Sequence, residues 1–352
     1  METNYTMSDD MALGFFDADG GIILGSEKRE AAHPFIAFKV TYLLGQSISK
    51  GDAAIKFADK FGSKVLTYED KLEFRVNQSS SEGQRFREFL TKNEPKNPYR
   101  LRDFYISESI ISLLNQKIQR SKVGQITLAY LVSNKSHLQR QGGDPLFNEL
   151  CSHINATEAE IQQGKQVADI ELAKTEVKLE AYNQTLSETK FSNDYVLGTH
   201  YGDGSLYVGL SWKPTEKYHR LRCDPEWAIS GDNEAFCKAF AKQLGGVTKS
   251  VDAKGQRKFA LTGIDKCFNI LSLFENAPWM PEYKKEQFNR WREAVILLKN
   301  KEHFTEEGIR RLLDLTYGQA EKGARPYTKE QYLEWGLAWL NKQDRQKRAP
   351  RE

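Results

Sequence analysis

One fourteen-residue segment occurs twice in this chain, and the repeat constrains the fold more than any other feature. Residues 8–21 read SDDMALGFFDADGG and residues 192–205 read SNDYVLGTHYGDGS. Ser8, Asp10, Leu13, Gly14, Asp19 and Gly20 return as Ser192, Asp194, Leu197, Gly198, Asp203 and Gly204, at a constant spacing of 184 residues. Two copies of one segment, each opening a stretch of comparable length, predict two related halves.

Each copy carries helix chemistry. Ser8 and Ser192 suit the N-cap, and the acids behind them suit the positive end of the helix dipole. Gly14 and Ala18 in one copy, and Gly198 and Gly202 in the other, lie four residues apart and share a face. A face without bulk lets two helix backbones come close. Gly20 and Gly204 stop the helices, which leaves Asp19 and Asp203 in the last turns. A carboxylate there opposes the dipole, and side-by-side packing would set two like charges together. Either one acid keeps its proton or a divalent cation sits between them. Mg²⁺ favours carboxylate, water and phosphate oxygens, so the pattern points to metal-assisted phosphodiester chemistry.

Residues 12–20, ALGFFDADG, closely resemble the LAGLIDADG motif, and residues 196–204, VLGTHYGDG, resemble it more loosely. The whole chain resembles a single-chain, two-motif LAGLIDADG homing endonuclease. The resemblance implies an α+β fold of two pseudo-symmetric αββαββα halves packed through the paired motif helices, with a saddle of two antiparallel sheets for duplex DNA. It implies a monomeric, intron-encoded enzyme with a long, asymmetric double-stranded DNA target. Asp19 and Asp203 would hold Mg²⁺, and one phosphodiester on each strand would be cut to leave 3′ overhangs. Mn²⁺ is expected to substitute and Ca²⁺ to bind without supporting cleavage, while the backbone contribution to the metal site stays open. Some proteins with this motif pair are maturases that bind intron RNA to aid splicing, and that is the alternative function.

The charge balance bears on the partner. Net charge is only +3 over 352 residues, so a surface for a polyanion must come from segregated charge rather than excess. The four cysteines, Cys151, Cys223, Cys237 and Cys267, show no paired spacing and read as reduced thiols. The six histidines form no ligand pattern. There is no secretory apolar segment and no run of about 18 apolar residues, so no membrane partner is expected. We expect an intracellular protein, in a prokaryotic cytoplasm or made within a chloroplast or mitochondrion.

Residues 1–150 are expected to form the first half. A short strand over 22–28 precedes a clearer one over 35–42, with Ile36, Phe38, Val40 and Tyr42 on one face and Lys39 and Thr41 on the other. A helix at 53–61 leads to a hairpin of 64–68 and 71–78, which turns Leu72, Phe74 and Val76 inward and Glu73, Arg75 and Asn77 outward. Helices follow at 83–91 and 105–117. Such a polar sheet face matches base-edge donors and acceptors in a major groove, so Lys39, Thr41, Arg75 and Asn77 are candidate DNA contacts. The resemblance implies a polar and a basic residue that hold water near the scissile phosphates, and these fall on Gln46 and Lys50. It implies a further basic residue after the second hairpin, which falls on Arg102, with Arg100 as rival.

Residues 151–190 read as a largely helical, solvated connector. Val167, Ile170 and Val177 form a thin apolar line, broken near Gly164. The second half, 191–342, opens with a strand over 205–212 whose Leu206, Val208, Leu210 and Trp212 share a face. A second strand over 218–223 turns Arg220 and Arg222 toward the ligand, and a helix covers 236–244. Lys258 alternates with Phe259 on the next strand and is a further DNA candidate. A helix spans 265–275, and 305–342 is helical, with Tyr332, Trp335 and Trp339 at core spacing. His200, in mid-helix, is expected to pack rather than to catalyse. The counterparts of Gln46 and Lys50 fall near Ile229 and Asn233, so that polar pair is not reproduced and the two half-sites are unequal. Lys284 takes the basic position, with Lys285 as rival. Residues 343–352 read as a disordered basic tail that touches phosphates non-specifically.

Overall fold

The computed structural model describes residues 5–30, 34–135, 144–214, 219–231, 233–249, 257–317 and 326–348. The chain divides into two compact units, residues 1–202 with 232–239 and residues 203–231 with 240–352.

In the first unit, helix α1 (Asp9–Asp19) runs directly into strand β1 (Gly20–Arg29), followed by β2 (Phe35–Ser47), α2 (Asp52–Lys60), β3 (Val65–Tyr68), β4 (Lys71–Asn77) and α3 (Ser81–Lys92). The antiparallel sheet has the order β1-β2-β4-β3. Alternation along the strands makes one face apolar: Ile36, Val40, Tyr42, Leu44, Phe74 and Val76 are buried. Against that face sits an aromatic cluster centred on Phe57, with ring centroids 5.9 Å from Phe15 and 5.1 Å from Phe61 and Phe74. The expected strand–helix–hairpin order is therefore present.

More helices follow than the sequence reading placed: α4 (Pro98–Asn115), α5 (Lys122–Ser133), α6 (Asp144–His153), α7 (Glu158–Leu186) and α8 (Asn193–Asp203). The helix expected from Tyr105 begins seven residues earlier, where Asn97 caps it by accepting from Tyr99 N at 3.0 Å and Pro98 fills the first turn. The connector expectation is corrected at α7. Val167, Ile170 and Val177 are exposed, whereas Gly164, Ala168 and Thr175 are buried. Gly164 does not break the helix. A Cβ there would lie 2.5 Å from Ile126 Cγ2, so the glycine lets α7 press onto α5. The packed seam is made of small residues, and a search for large apolar side chains finds the wrong face.

The second unit contains β5 (Gly204–Pro214), β6 (His219–Gly231), α9 (Glu234–Leu244, which starts in the first unit), β7 (Val247–Lys249) and β8 (Arg257–Thr262), in the sheet order β5-β6-β8-β7. Helices α10 (Ile264–Asn269), α11 (Leu271–Glu275), α12 (Glu282–Lys299), α13 (Glu306–Tyr317) and α14 (Lys329–Arg348) follow. The single helix expected at 265–275 is thus two. Trp227, Phe259, Phe274 and Trp291 form the core, and Tyr332 and Trp339 are buried as expected.

Strand β6 is far longer than the expected 218–223, because Pro225 reads as a stop. Its carbonyl accepts from Gly263 N at 3.2 Å, so its nitrogen faces the same side, where the ladder to β8 begins only at Glu226. The missing N–H therefore ends the ladder to β8 and leaves the bonds to β5, on the other side, intact. Over 343–348 the expected disordered tail is corrected: α14 continues to Arg348, through residues of good helix propensity, and 349–352 lie outside the described residues. The side chains beyond Asn341 lie outside the described residues.

The 184-residue spacing extends far past the motif. It relates α4 to α12, α5 to α13, and the 3-10 turns 118–120 and 302–304. It also relates Lys117 and Lys301, which share a left-handed conformation with φ of 59° and 63°.

Candidate metal centre and nucleic-acid interface

Helices α1 and α8 are tied at their N-termini by a reciprocal exchange. Ser8 Oγ accepts from Met11 N at 3.2 Å and donates to Asp194 Oδ2 at 2.5 Å. Ser192 Oγ accepts from Tyr195 N at 3.1 Å and donates to Asp10 Oδ2. Each cap is thereby anchored on the first turn of the other helix. Further along, backbone meets backbone. A Cβ on Gly14 would lie 2.2 Å from Tyr195 O, and one on Gly198 would lie 2.0 Å from Met11 O. The small face read from the sequence is the packing face. Gly20 ends α1 in an extended conformation, φ −77°, rather than a left-handed one. Space requires the glycine here, since a Cβ would lie 2.1 Å from the Phe16 ring.

This packing sets the position of the first motif acid. Asp19 is half-buried at the C-terminus of α1. Gln46, buried near the end of β2, donates to Asp19 Oδ2 through Nε2, so two of the expected site residues meet. A Cβ on Gly202 would lie 2.5 Å from Ala18 Cβ and 3.2 Å from the same Oδ2, so the contact with Ala18 keeps this position beside the carboxylate to glycine. Asp203 closes α8 and is exposed. Lys50 ends the 3-10 turn Ile48–Lys50 and is half-buried.

The basic candidates separate. Lys284 is 4% exposed and donates from Nζ to Gly204 O, directly behind Asp203 in the chain. Lys285 is exposed and pairs with Glu282 at 3.7 Å. Arg102 donates to Glu176 at 2.8 Å and to Asn134 O at 2.6 Å, which engages it among the helices. Arg100 stands in α4 where Lys284 stands in α12, two residues past the first. Its Nε is buried without a hydrogen-bond partner. Beside it lies Lys135, which no motif flagged. Burial holds the Lys135 ammonium below the usual lysine range, with Asp103 opposing and Arg100 adding to the effect, and Nζ is 3.4 Å from Ile22 O.

Asp17 was also missed, since an acid inside an apolar run gives no signal of its role. It is 1% exposed, and its Oδ2 accepts from Tyr195 Oη at 2.6 Å, Lys96 N at 2.7 Å and Asn97 N at 3.2 Å. It therefore pins the start of α4, and with it Arg100, to the motif helix. Burial pushes its carboxyl up to about 6 against these hydrogen bonds. The 184-residue counterpart of Asp17 is Tyr201, also buried. His200 is fully buried with its ring 6.2 Å from that of Tyr201, a packing position.

The sheet faces away from the cores carry the other candidates. Lys39 is exposed, and its stem lies over Gly25, where a Cβ would come within 3.0 Å of Lys39 Cγ. Thr41 is 5% exposed and donates to Asn77 Oδ1 at 2.9 Å. Arg75 pairs with Glu73 at 3.0 Å and lies 5.6 Å from the Tyr68 ring centroid. On the second sheet, exposed Arg222 pairs with Asp224 at 2.5 Å, and Lys258 faces the same side. The Arg220 side chain lies outside the described residues. The ladders also correct one correspondence. Leu44 stands opposite Gly20 and Ile229 opposite Gly204, so the counterpart of Gln46 is Gly231, which has no side chain at all.

Among the described residues no three His, Cys, Asp or Glu side chains gather to hold a metal. Mg²⁺ does not need such a cage, being bound through one or two carboxylates with waters and substrate phosphates. The hard oxygens at the motif helix ends fit that habit. No helix among the described residues is long and apolar enough to cross a membrane.

No protein-family model matches the chain, and no curated protein matches it. Solved structures do. I-SmaMI bound to an uncleaved DNA target in the presence of calcium ions is 16% identical with a TM-score of 0.66, over 90% of this chain and 99% of that one. The LAGLIDADG homing endonuclease I-LtrWI bound to target DNA is 14% identical with a TM-score of 0.67, over 89% and 97%. The LAGLIDADG meganuclease I-AabMI bound to uncleaved DNA is 13% identical with a TM-score of 0.68, over 90% and 100%. The chain thus has the α+β fold of single-chain LAGLIDADG homing endonucleases.

Proposed function

We propose that this protein is a site-specific double-stranded DNA endonuclease that hydrolyses one phosphodiester on each strand, with a divalent metal, to leave 3′ overhangs. The observation that carries the reading is the close backbone contact of α1 and α8 at Gly14 and Gly198, which fixes Asp19 at a helix end with Gln46 on its carboxylate. A carboxylate at that end is destabilised by the helix dipole, and a cation relieves this. The fold shared with DNA-bound relatives supports the partner.

Asp19 and Asp203 are the proposed ligands. Bound there, Mg²⁺ would supply Lewis acidity and charge neutralisation at the scissile phosphates. The chain's own groups do the rest. Gln46 orients the Asp19 carboxylate and, with Lys50, holds water on that side. Lys284, which is buried, and Arg100, whose Nε is buried, place positive charge where the leaving oxygen develops negative charge. Gly231 in place of a second Gln46 makes the two strand cuts unequal in rate.

The test is cleavage of a plasmid library carrying a randomised target. Cut ends should be recovered with Mg²⁺ or Mn²⁺ and not with EDTA. Asp19→Asn and Asp203→Asn should each abolish cutting while binding of the recovered duplex stays within a few-fold. Metal-independent cutting, or full activity in either variant, would overturn the assignment.

A further inference from the structure

The outer face of the second sheet carries a network to which each of its four strands contributes one residue. Tyr207 on β5 stands opposite Glu226 on β6, and Lys249 on β7 stands opposite Lys258 on β8. Glu226 Oε1 accepts from Tyr207 Oη and from Lys258 Nζ at 3.2 Å, and Glu226 Oε2 accepts from Lys249 Nζ. Lys258 Nζ also lies 3.4 Å from Tyr207 Oη and 5.7 Å from its ring centroid. The glutamate is 6% exposed, while both lysines are 37% exposed. The carboxylate is the buried hub and the ammonium groups are its outward rim.

The hydrogen-bond inventory of this rim is one-sided. An ammonium has three donors and no acceptor. Lys249 gives one donor to Glu226, and Lys258 gives one to Glu226 and one to Tyr207, so both keep N–H groups for an outside partner. Both Glu226 oxygens are occupied. Burial alone would push the Glu226 carboxyl up, but Lys249, Tyr207 and Lys258 outweigh it and hold it below the usual range, so the hub stays ionised near neutrality. Nearby Asp224 is engaged by Arg222. Among the described residues of the network and its neighbour Arg222, the face offers donors, and the Glu226 and Asp224 carboxylates are both engaged.

In a major groove, guanine shows two acceptors, O6 and N7. Adenine and cytosine put an amino donor in the same region. We infer that the Tyr207–Glu226–Lys249–Lys258 network reads guanine in one half of the bound duplex and rejects adenine and cytosine at the same place. This rests on the proposed DNA-binding function and names the base chemistry that the second sheet selects. Glu226 is a positioning residue: it holds two like-charged side chains side by side and never touches the base. A lysine placed on O6 and N7 gives roughly 5- to 150-fold preference over the wrong base.

Selection of duplexes from a randomised library by the full-length protein in Ca²⁺ tests this. Wild type should recover a site with guanine at one or two adjacent positions in one half. Lys249→Met and Lys258→Met should lose the preference at those positions only. Glu226→Gln should relax the same positions and bind unselected DNA more tightly, because the network's net charge rises from +1 to +2 and the slope of log affinity on log salt steepens by about 1. If Glu226→Gln fails to fold, the two lysine variants carry the test. A site that survives both lysine changes, or lysine-dependent positions that select adenine, cytosine or thymine, would overturn the inference and leave the proposed function standing. Failure of wild type to select any duplex would instead remove the DNA-binding reading itself.

Discussion

Gly14→Ala sets two opposed effects against each other at the α1–α8 contact. In a helix interior, alanine is favoured over glycine by about 1 kcal/mol, so propensity alone predicts a more stable protein. Packing predicts the reverse. The new methyl would lie 2.2 Å from Tyr195 O and 2.9 Å from Thr199 N, where a carbon–oxygen contact needs about 3.3 Å. Both obstacles are backbone, so no side chain can swing aside, and the helices must part by about 1 Å. Overpacking of this kind costs about 1–3 kcal/mol, and occasionally more. The parting also breaks the seat of Asp19, and a misplacement of about 1 Å can slow catalysis by about 10²-fold. With two backbone obstacles the upper part of that range applies, about 2–3 kcal/mol, so we expect net destabilisation of about 1–2 kcal/mol after the propensity gain, and a cleavage rate reduced further than stability explains.

Urea unfolding followed by circular dichroism measures the first quantity, as a lower midpoint at unchanged slope, and single-turnover cleavage measures the second. Gly21→Ala is the control. It lies just past the helix with nothing within 4 Å of its Cβ position, and should be neutral within about 0.5 kcal/mol. A Gly14→Ala protein as stable as its parent would refute the close-contact argument, because propensity would then have decided the outcome.

Two further outcomes follow from the site and the cores. Lys284→Met and Arg100→Met, which keep the stems packed, should each slow single-turnover cleavage by about 10²-fold with little change in duplex affinity. Arg102→Met should act on unfolding through Glu176 and the Asn134 carbonyl; a larger rate loss in Arg102→Met than in Arg100→Met would reverse the assignment. Cys267 is fully buried against Pro225 O and Leu261 O, and burial raises its thiol from 9.0 to about 12. Between those pH values the unfolded chain loses a proton that the folded chain keeps. Stability therefore falls as pH rises through the window, by up to roughly 4 kcal/mol. Unfolding curves of Cys267→Ala should show a shallower alkaline loss than the parent, and identical slopes from pH 9 to 12 would deny the thiol that role.

The sequence exposed what depends on local pattern and concealed what depends on contact. Ser8, Gly14 and Gly20, with their repeats, are legible because caps, small faces and stops have residue signatures. The strands of the first sheet are legible because Ile36, Val40 and Tyr42 alternate cleanly. The seam of α7 was hidden because Gly164 and Ala168 pack by being small, so the larger Val167 and Ile170 drew the eye to the solvent side. Strand β6 was cut short because a proline reads as a stop unless one knows which edge its nitrogen faces. In the site, Gln46 was found by its distance from Asp19, whereas Lys135 and Asp17 were not found. Their roles arise from burial beside Arg100 and against the start of α4, which no spacing announces. Glu226 was invisible for a related reason: an acid on a face read as basic looks like an interruption until its two lysines are seen around it.

The repeat also shows where the halves are free to differ. Ser8 and Ser192, Gly14 and Gly198, and Lys117 and Lys301 keep both their spacing and their structural part. Each governs a helix cap, a helix contact or a turn, where a change costs stability whatever the ligand. The outward sheet positions do not keep theirs. Thr41 stands opposite Ile23 in the first sheet, and Glu226 stands opposite Tyr207 in the second. The first pairing leads to a Thr41–Asn77 hydrogen bond with mixed donors and acceptors, the second to a rim of ammonium donors around a buried carboxylate. Two faces of unlike hydrogen-bonding character cannot both be satisfied by one base sequence and its dyad copy. Under the proposed function, a duplex that satisfies both would lack twofold symmetry, a reading that one chain with two unlike halves permits and two identical subunits could not make.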